Sequence, residues 1–153
     1  MDAFDFIAVR LCCLRCGKFT EANQTHLQTA LAAEPNARDL KPGDTLGVLS
    51  PEELEEVGYW TVHVPAEGEV VRVLEAWDCR QDCDSRLNWA EVLIDRGVLV
   101  QVNVVPLDAK TLARVHYLSN EAVANAGALL NVPVGKLLRD EALRRLIVAA
   151  SRV

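Results

Sequence analysis

The chain has 153 residues, half of them apolar and a quarter charged, with a net charge of −6. That length supports one domain with a hydrophobic core, and the balance of apolar to charged residues excludes wholesale disorder. The charge is uneven: residues 136–153 hold five basic and two acidic side chains, so the remainder carries −9. An acidic body has little with which to displace counterions from a phosphate backbone, so nucleic-acid binding is disfavoured. The longest apolar runs, 7–14 and 98–105, are too short to cross a bilayer and are interrupted by Arg10, Gln101 and Asn103. The first five residues lack the basic and apolar segments of a signal peptide. The expectation is a soluble, cytoplasmic protein with no membrane partner. In a reducing compartment its five cysteines point to metal ligands or free thiols rather than disulfides.

In chain order, residues 4–11 alternate as a short strand running straight into a cysteine-rich stretch. Residues 25–33 fit a helical face through Leu27, Ala30 and Leu31, while Thr25 and His26 tolerate a strand; both readings stay open. Residues 41–44 form a turn by composition. A short helix follows over 51–57: Ser50 can cap it, Pro51 suits its first position, and Glu53 can reach back to the Ser50 amide. Gly58 is placed to end it. Strand patterns then cover 59–64, 69–77, 88–94 and 98–105. Asp95, Arg96 and Gly97 join the last two, with a glycine that allows the positive φ of a tight hairpin. These four strands predict an antiparallel β-meander.

From residue 107 the period becomes helical. Two short helices are expected over 108–118 and 119–130, with Ser119 capping the second, and a longer one over 136–152. In the last, Leu138, Ala142, Leu143, Leu146, Ile147, Ala149 and Ala150 share one face, with Glu141, Arg144, Arg145 and Arg152 opposite. That apolar face is read as packing on its own domain in preference to a partner-binding or membrane-surface helix; a homo-oligomer through it is a further use.

Cys13 and Cys16, followed directly by Gly17, can hold two thiolates on one metal in a tight turn whose amides point at the sulfurs. A second pair, Cys79 and Cys83, lies between the second and third strands of the expected meander. Together the four sulfurs would complete a closed tetrahedral site. Cys12 could replace Cys13 in another register, and His26, His63, Asp78 or Asp82 could substitute as ligands. The first pair resembles the Cys-x-x-Cys-Gly knuckle of zinc ribbons and rubredoxin-like domains. The resemblance covers the two pairs and their adjoining strands and implies a structural zinc, although iron could use the same sulfurs. The second pair departs from the pattern, with three residues between its cysteines and Asp84 where glycine is common. The fold class expected is thus α+β: residues 1–106 a zinc-ribbon-like β domain with an insertion, and residues 107–153 a helical region packed on it.

A redox role for Cys13 and Cys16 would want a helix opening at the pair to lower a thiol pKa, but Gly17, Lys18, Phe19 and Thr20 follow without helical period. His26, His63 and His116 are too scattered to form a recognisable catalytic set, and phosphate-loop, HExxH and GxSxG motifs are absent. The acidic residues Glu52, Glu53, Glu55 and Glu56 are read first as a solvated helix face. As a patch they could meet a basic protein, with Tyr59 and Trp60 as anchors if exposed. Trp77 and Trp89 flank the second cysteine pair and are expected to wall off the metal or fill the core. The function expected is a small non-enzymatic zinc-binding protein-interaction module: an inhibitor, an immunity-type antidote or an accessory subunit. A thiol- or metal-dependent redox protein is the alternative, and a nucleic-acid-binding ribbon ranks last.

Overall fold

The computed structural model describes residues 4–25, 27–81, 83 and 87–152. His26, Asp82 and Asp84, considered above in connection with the cysteine pairs, lie outside the described residues. The first part of the chain runs β1 (Asp5–Ile7), β2 (Leu11–Cys12), β3 (Phe19–Thr20), α1 (Ala22–Thr25), β4 (Leu27–Thr29), β5 (Asp39–Leu40) and α2 (Pro51–Glu56). The second runs β6 (Tyr59–Thr61), β7 (Val71–Asp78), β8 (Leu87–Asp95), β9 (Val98–Val105), α3 (Ala109–Arg114), β10 (Tyr117–Ser119) and α4 (Asn120–Leu130). A 3-10 turn at Val134–Lys136 leads to α5 (Arg139–Ala150). The fold is α+β, as the alternation of strand and helix periods predicts.

A five-stranded sheet in the order β6-β10-β7-β8-β9 carries the structure. Alternation along β7 supplies both of its faces. Val73 and Trp77 project into one layer with Ile7, Leu27, Leu40, Cys13 and Cys79. Leu74 and Ala76 project into the other with Leu112, Val123 and Leu146. The first layer is closed by a three-stranded sheet, β4-β1-β5, and by the β2-β3 ribbon; the second by α3, α4 and α5. The apolar face of α5 thus packs within its own chain through Ala142, Leu146 and Ala150. Among the described residues no helix is long and apolar enough to cross a membrane.

Local signals place several elements where expected. Ser50 and Glu53 form the complete capping box at α2, each side chain bonded to the other's backbone amide. The β8-β9 hairpin turns on Arg96 and Gly97, both with positive φ (52° and 80°), the mirror-image turn whose twist matches its strands. The ambiguous stretch 25–33 divides: Thr25 ends the short helix α1 and 27–29 is strand.

The expected meander is corrected in one respect. β7, β8 and β9 are consecutive antiparallel neighbours, but β6 does not pair with β7. β10 lies between them, antiparallel to β6 and parallel to β7. The helix expected over 108–118 therefore stops at Arg114: Val115 turns to extended backbone (φ −75°, ψ 150°), and Tyr117 and Leu118 are buried as strand. A three-residue strand apolar on both faces has no alternation to set it apart from the end of a helix.

Candidate metal centre

The β2-β3 ribbon shapes the first cysteine pair. Beyond the register Leu11 with Thr20 and Cys12 with Phe19, the Cys13 amide donates to the Lys18 carbonyl at 2.9 Å, and the Gly17 amide donates to the Cys13 carbonyl at 2.9 Å. Gly17 adopts φ 73°, which a side chain would resist. The second pair belongs to the connection between β7 and β8, whose strands pair as far as Asp78 with Leu87. The Arg80 amide donates to the Thr20 hydroxyl at 3.1 Å and ties that connection to the ribbon.

These two supports bring the sulfurs of Cys13, Cys16, Cys79 and Cys83 within 4.8 Å of one another. Across the pairs, Cys13 lies 4.0 Å from Cys83, and Cys16 lies 3.8 Å from Cys79. A tetrahedron with metal–sulfur bonds of about 2.3 Å has edges of about 3.8 Å, whereas a disulfide closes to about 2.0 Å. The group fits a four-thiolate metal site, and all the cysteines are free thiols. Cys13 and Cys79 are buried, and Cys16 and Cys83 half-buried.

The surroundings favour anionic sulfur at Cys13. The Arg15 amide points at its Sγ at 3.4 Å and the Asn88 side-chain amide at 3.3 Å. Burial raises the Cys13 thiol, but these donors and the Cys16 amide outweigh it and bring it down to about 6. Burial pushes Cys79 up to about 11. Among the described residues this is the one group of three or more cysteine, histidine or acidic side chains with metal-ligand spacing. No protein-family model matches the chain, and neither does any curated protein or solved structure. The likeness to a ribbon knuckle therefore stands on the cysteine geometry alone.

The other candidates fall elsewhere. Cys12 is outside the group, its Sγ directed toward the Gly17 carbonyl at 3.5 Å. His63 and Asp78 are also outside it. Trp77 shares the core layer of Cys13 and Cys79, whereas Trp89 packs in the opposite layer. Glu52, Glu53, Glu55 and Glu56 are exposed on α2, and Glu55 approaches Arg139 at 3.9 Å. Tyr59 and Trp60 are core residues, at 3% and 8% exposure, so neither offers an exposed anchor.

Two arrangements were not visible in the sequence. The Tyr59 hydroxyl donates to Glu75 Oε2 at 2.6 Å, and the Thr29 hydroxyl donates to the same oxygen at 2.9 Å. Glu75 occupies the inward position between Val73 and Trp77, and a carboxyl at that phase of an apolar strand was the available signal. The rings of His63 and His116 meet edge to face at 5.4 Å. Nδ1 of His116 accepts the Arg72 amide at 3.0 Å, so Nε2 carries the proton and donates to Glu69 at 3.1 Å. Burial lowers the His116 pKa, although the Glu69 carboxylate pulls the other way.

Proposed function

We propose that this chain is a zinc-binding protein-interaction module whose metal is structural. One observation carries the reading: two short segments, 63 positions apart at Cys16 and Cys79, present four thiols at the spacing of a tetrahedral thiolate site. Bound there, zinc would supply a closed, redox-inert cross-link and no open position for a reacting water. Cys13 and Cys16 would hold it from the ribbon, Cys79 and Cys83 from the β7-β8 connection. The Arg15 and Asn88 donors would stabilise the anionic sulfur.

The interaction role rests on what the surface offers. The first knuckle exposes Leu14 (56%) and Phe19 (44%), with the Arg10 guanidinium stacked over the Phe19 ring at 3.7 Å. The exposed glutamates of α2 suit a basic protein, because opposite charge speeds encounter.

Metal analysis with thiol counting on freshly purified, tag-free protein tests the metal reading. The expected result is one zinc per chain, four protected thiols and one reactive thiol, Cys12. Cys79→Ser should lose the zinc and Cys12→Ser should keep it. A ferric site would absorb visible light, which d10 zinc cannot do. Metal-free protein with five reactive thiols would remove this reading and bring forward the redox alternative. Co-purification under gentle conditions, read by mass spectrometry, tests the partner. Glu52→Lys with Glu56→Lys should weaken its capture and leave the zinc in place; a chain that stays alone would count against an interaction role.

A further inference from the structure

A cleft of about 430 Å³ opens beside β4 and β6, remote in composition from the cysteine group. Its lining includes Glu75, Tyr59 and Thr29, with Gln28, Asn120 and Glu121 among the remainder. Its volume lies within the range of small-molecule sites, which extends from about 300 to 1,000 Å³.

The charge of this cleft is one-sided. Glu75 is 2% exposed and Glu121 is exposed, and no lysine, arginine or histidine is among the described lining residues. A buried carboxylate ordinarily faces a cation. Here the groups that face Glu75 are the hydroxyls of Tyr59, Thr29 and Ser119, together with the like charge of Glu121. The Tyr59 and Thr29 hydroxyls both donate to Oε2, and a carboxylate with about four acceptor positions keeps some to spare beyond those two. Behind this layer, Asp5 pairs opposite Thr29 in the β1-β4 register and is fully buried, but its Oδ1 accepts the Asn36 and Arg38 amides and lies 3.5 Å from the Arg38 guanidinium, so its charge is matched and the charge of the cleft rests on Glu75 and Glu121. The hydroxyls are themselves held: the Tyr59 oxygen accepts the Ala30 amide at 3.1 Å, and the Thr29 oxygen accepts the Leu31 amide at 3.3 Å. The floor thus holds Glu75 in place with fixed donors but gives it no cation among the described residues, so its charge in the cleft is left uncompensated. An inorganic cation would need several converging ligands, and among the described residues such a group of three exists only at the cysteines.

We propose that this cleft binds a small organic cation, an alkylammonium or amidinium compound, with Glu75 as its counter-ion and Glu121 at its mouth. Apolar lining from Val57 and Ala30 would take the carbon part of the ligand. The inference goes beyond the zinc reading and does not depend on it.

The experiment uses the full chain with its native metal content at pH 8. Putrescine, agmatine and benzamidine serve as probes, and 1,4-butanediol and benzamide as uncharged counterparts. Ligand-observed saturation-transfer NMR titrations should show a cation binding at least about tenfold tighter than its neutral counterpart, the scale of one charge-assisted contact. Glu75→Gln should weaken that probe by about tenfold or more. Should that variant fold poorly, Gln28→Trp at the exposed edge of the cleft should abolish binding without touching the floor, and Glu121→Gln should weaken it less than Glu75→Gln would. Equal binding of benzamidine and benzamide would overturn the proposal. So would the absence of saturation transfer to all three cations, or unchanged binding in Gln28→Trp.

Discussion

Glu75 makes the fold sensitive to pH. Burial pushes its carboxyl up from 4.5 to about 7, against the lowering effect of the Tyr59, Thr29 and Ser119 hydroxyls. The folded state therefore holds a proton that the unfolded chain releases, and stability falls as pH rises from about 4.5 to about 7. Above that window the full cost, about 3 kcal/mol, is present; below it the cost vanishes. Glu75→Gln should flatten this part of the profile. Urea unfolding at pH 5 and pH 8 checks it: the variant should gain on the wild type as pH rises. His116 slopes the other way. Its pKa is lowered by burial, so the stability of its neutral form is full above the unfolded value of 6.5 and is lost as pH falls below it. Comparing the wild type with Glu75→Gln leaves His116 common to both and isolates the carboxyl. Residue types alone marked the four cysteines as a group, because thiols at short spacing carry their own chemistry. The surroundings of Glu75 were not legible: Thr29, Tyr59 and Ser119 are 46, 16 and 44 positions away from it in the chain.

At the scale of the element, what was legible is what the chain settles within a few residues. The α2 capping box and the β8-β9 turn are both local. Ser50→Ala should cost about 1 kcal/mol, read as a shift of the urea midpoint at unchanged slope. Gly97→Ala should cost more than Gly68→Ala. Both positions have φ near 80°, but a Cβ at Gly97 would come within 3.0 Å of the Gly47 carbonyl oxygen, whereas at Gly68 it meets open space. Strain alone costs about 1–2 kcal/mol, and the contact adds to it. Thermal denaturation of the two variants gives the order directly. β10 was not legible, because its strand character comes from neighbours it meets only after folding. Tyr117 faces Thr61 on one side and Val73 on the other, and a three-residue segment read alone has no such partners.

Across the whole molecule, the cysteine group joins the N-terminal ribbon to the end of the longest hairpin. If the proposed zinc is there, it closes a loop of 63 positions between Cys16 and Cys79, and a cross-link of that length stabilises by about 4 kcal/mol in the chain-entropy picture. Chelation should then lower the melting temperature and expose backbone amides around 11–20 and 79–81 to hydrogen exchange. The β8-β9 pairing, backed by apolar layers on both faces, should stay protected. Equal loss of protection throughout would show that the metal site and sheet form one cooperative unit.

The place of β10 has a further consequence, measured in time. Among the described residues β6 has no neighbour in the sheet except β10, so Tyr59–Thr61 must wait for residues 117–119 to be made. At ribosomal speeds of about 5–20 residues per second, that is roughly 3 to 12 seconds with a strand edge unpaired. Until then Tyr59 lacks the sheet position from which it reaches Glu75. A nascent chain arrested before residue 117 should be cut by protease near β6, and one extended far enough to bring β10 out of the ribosome should resist.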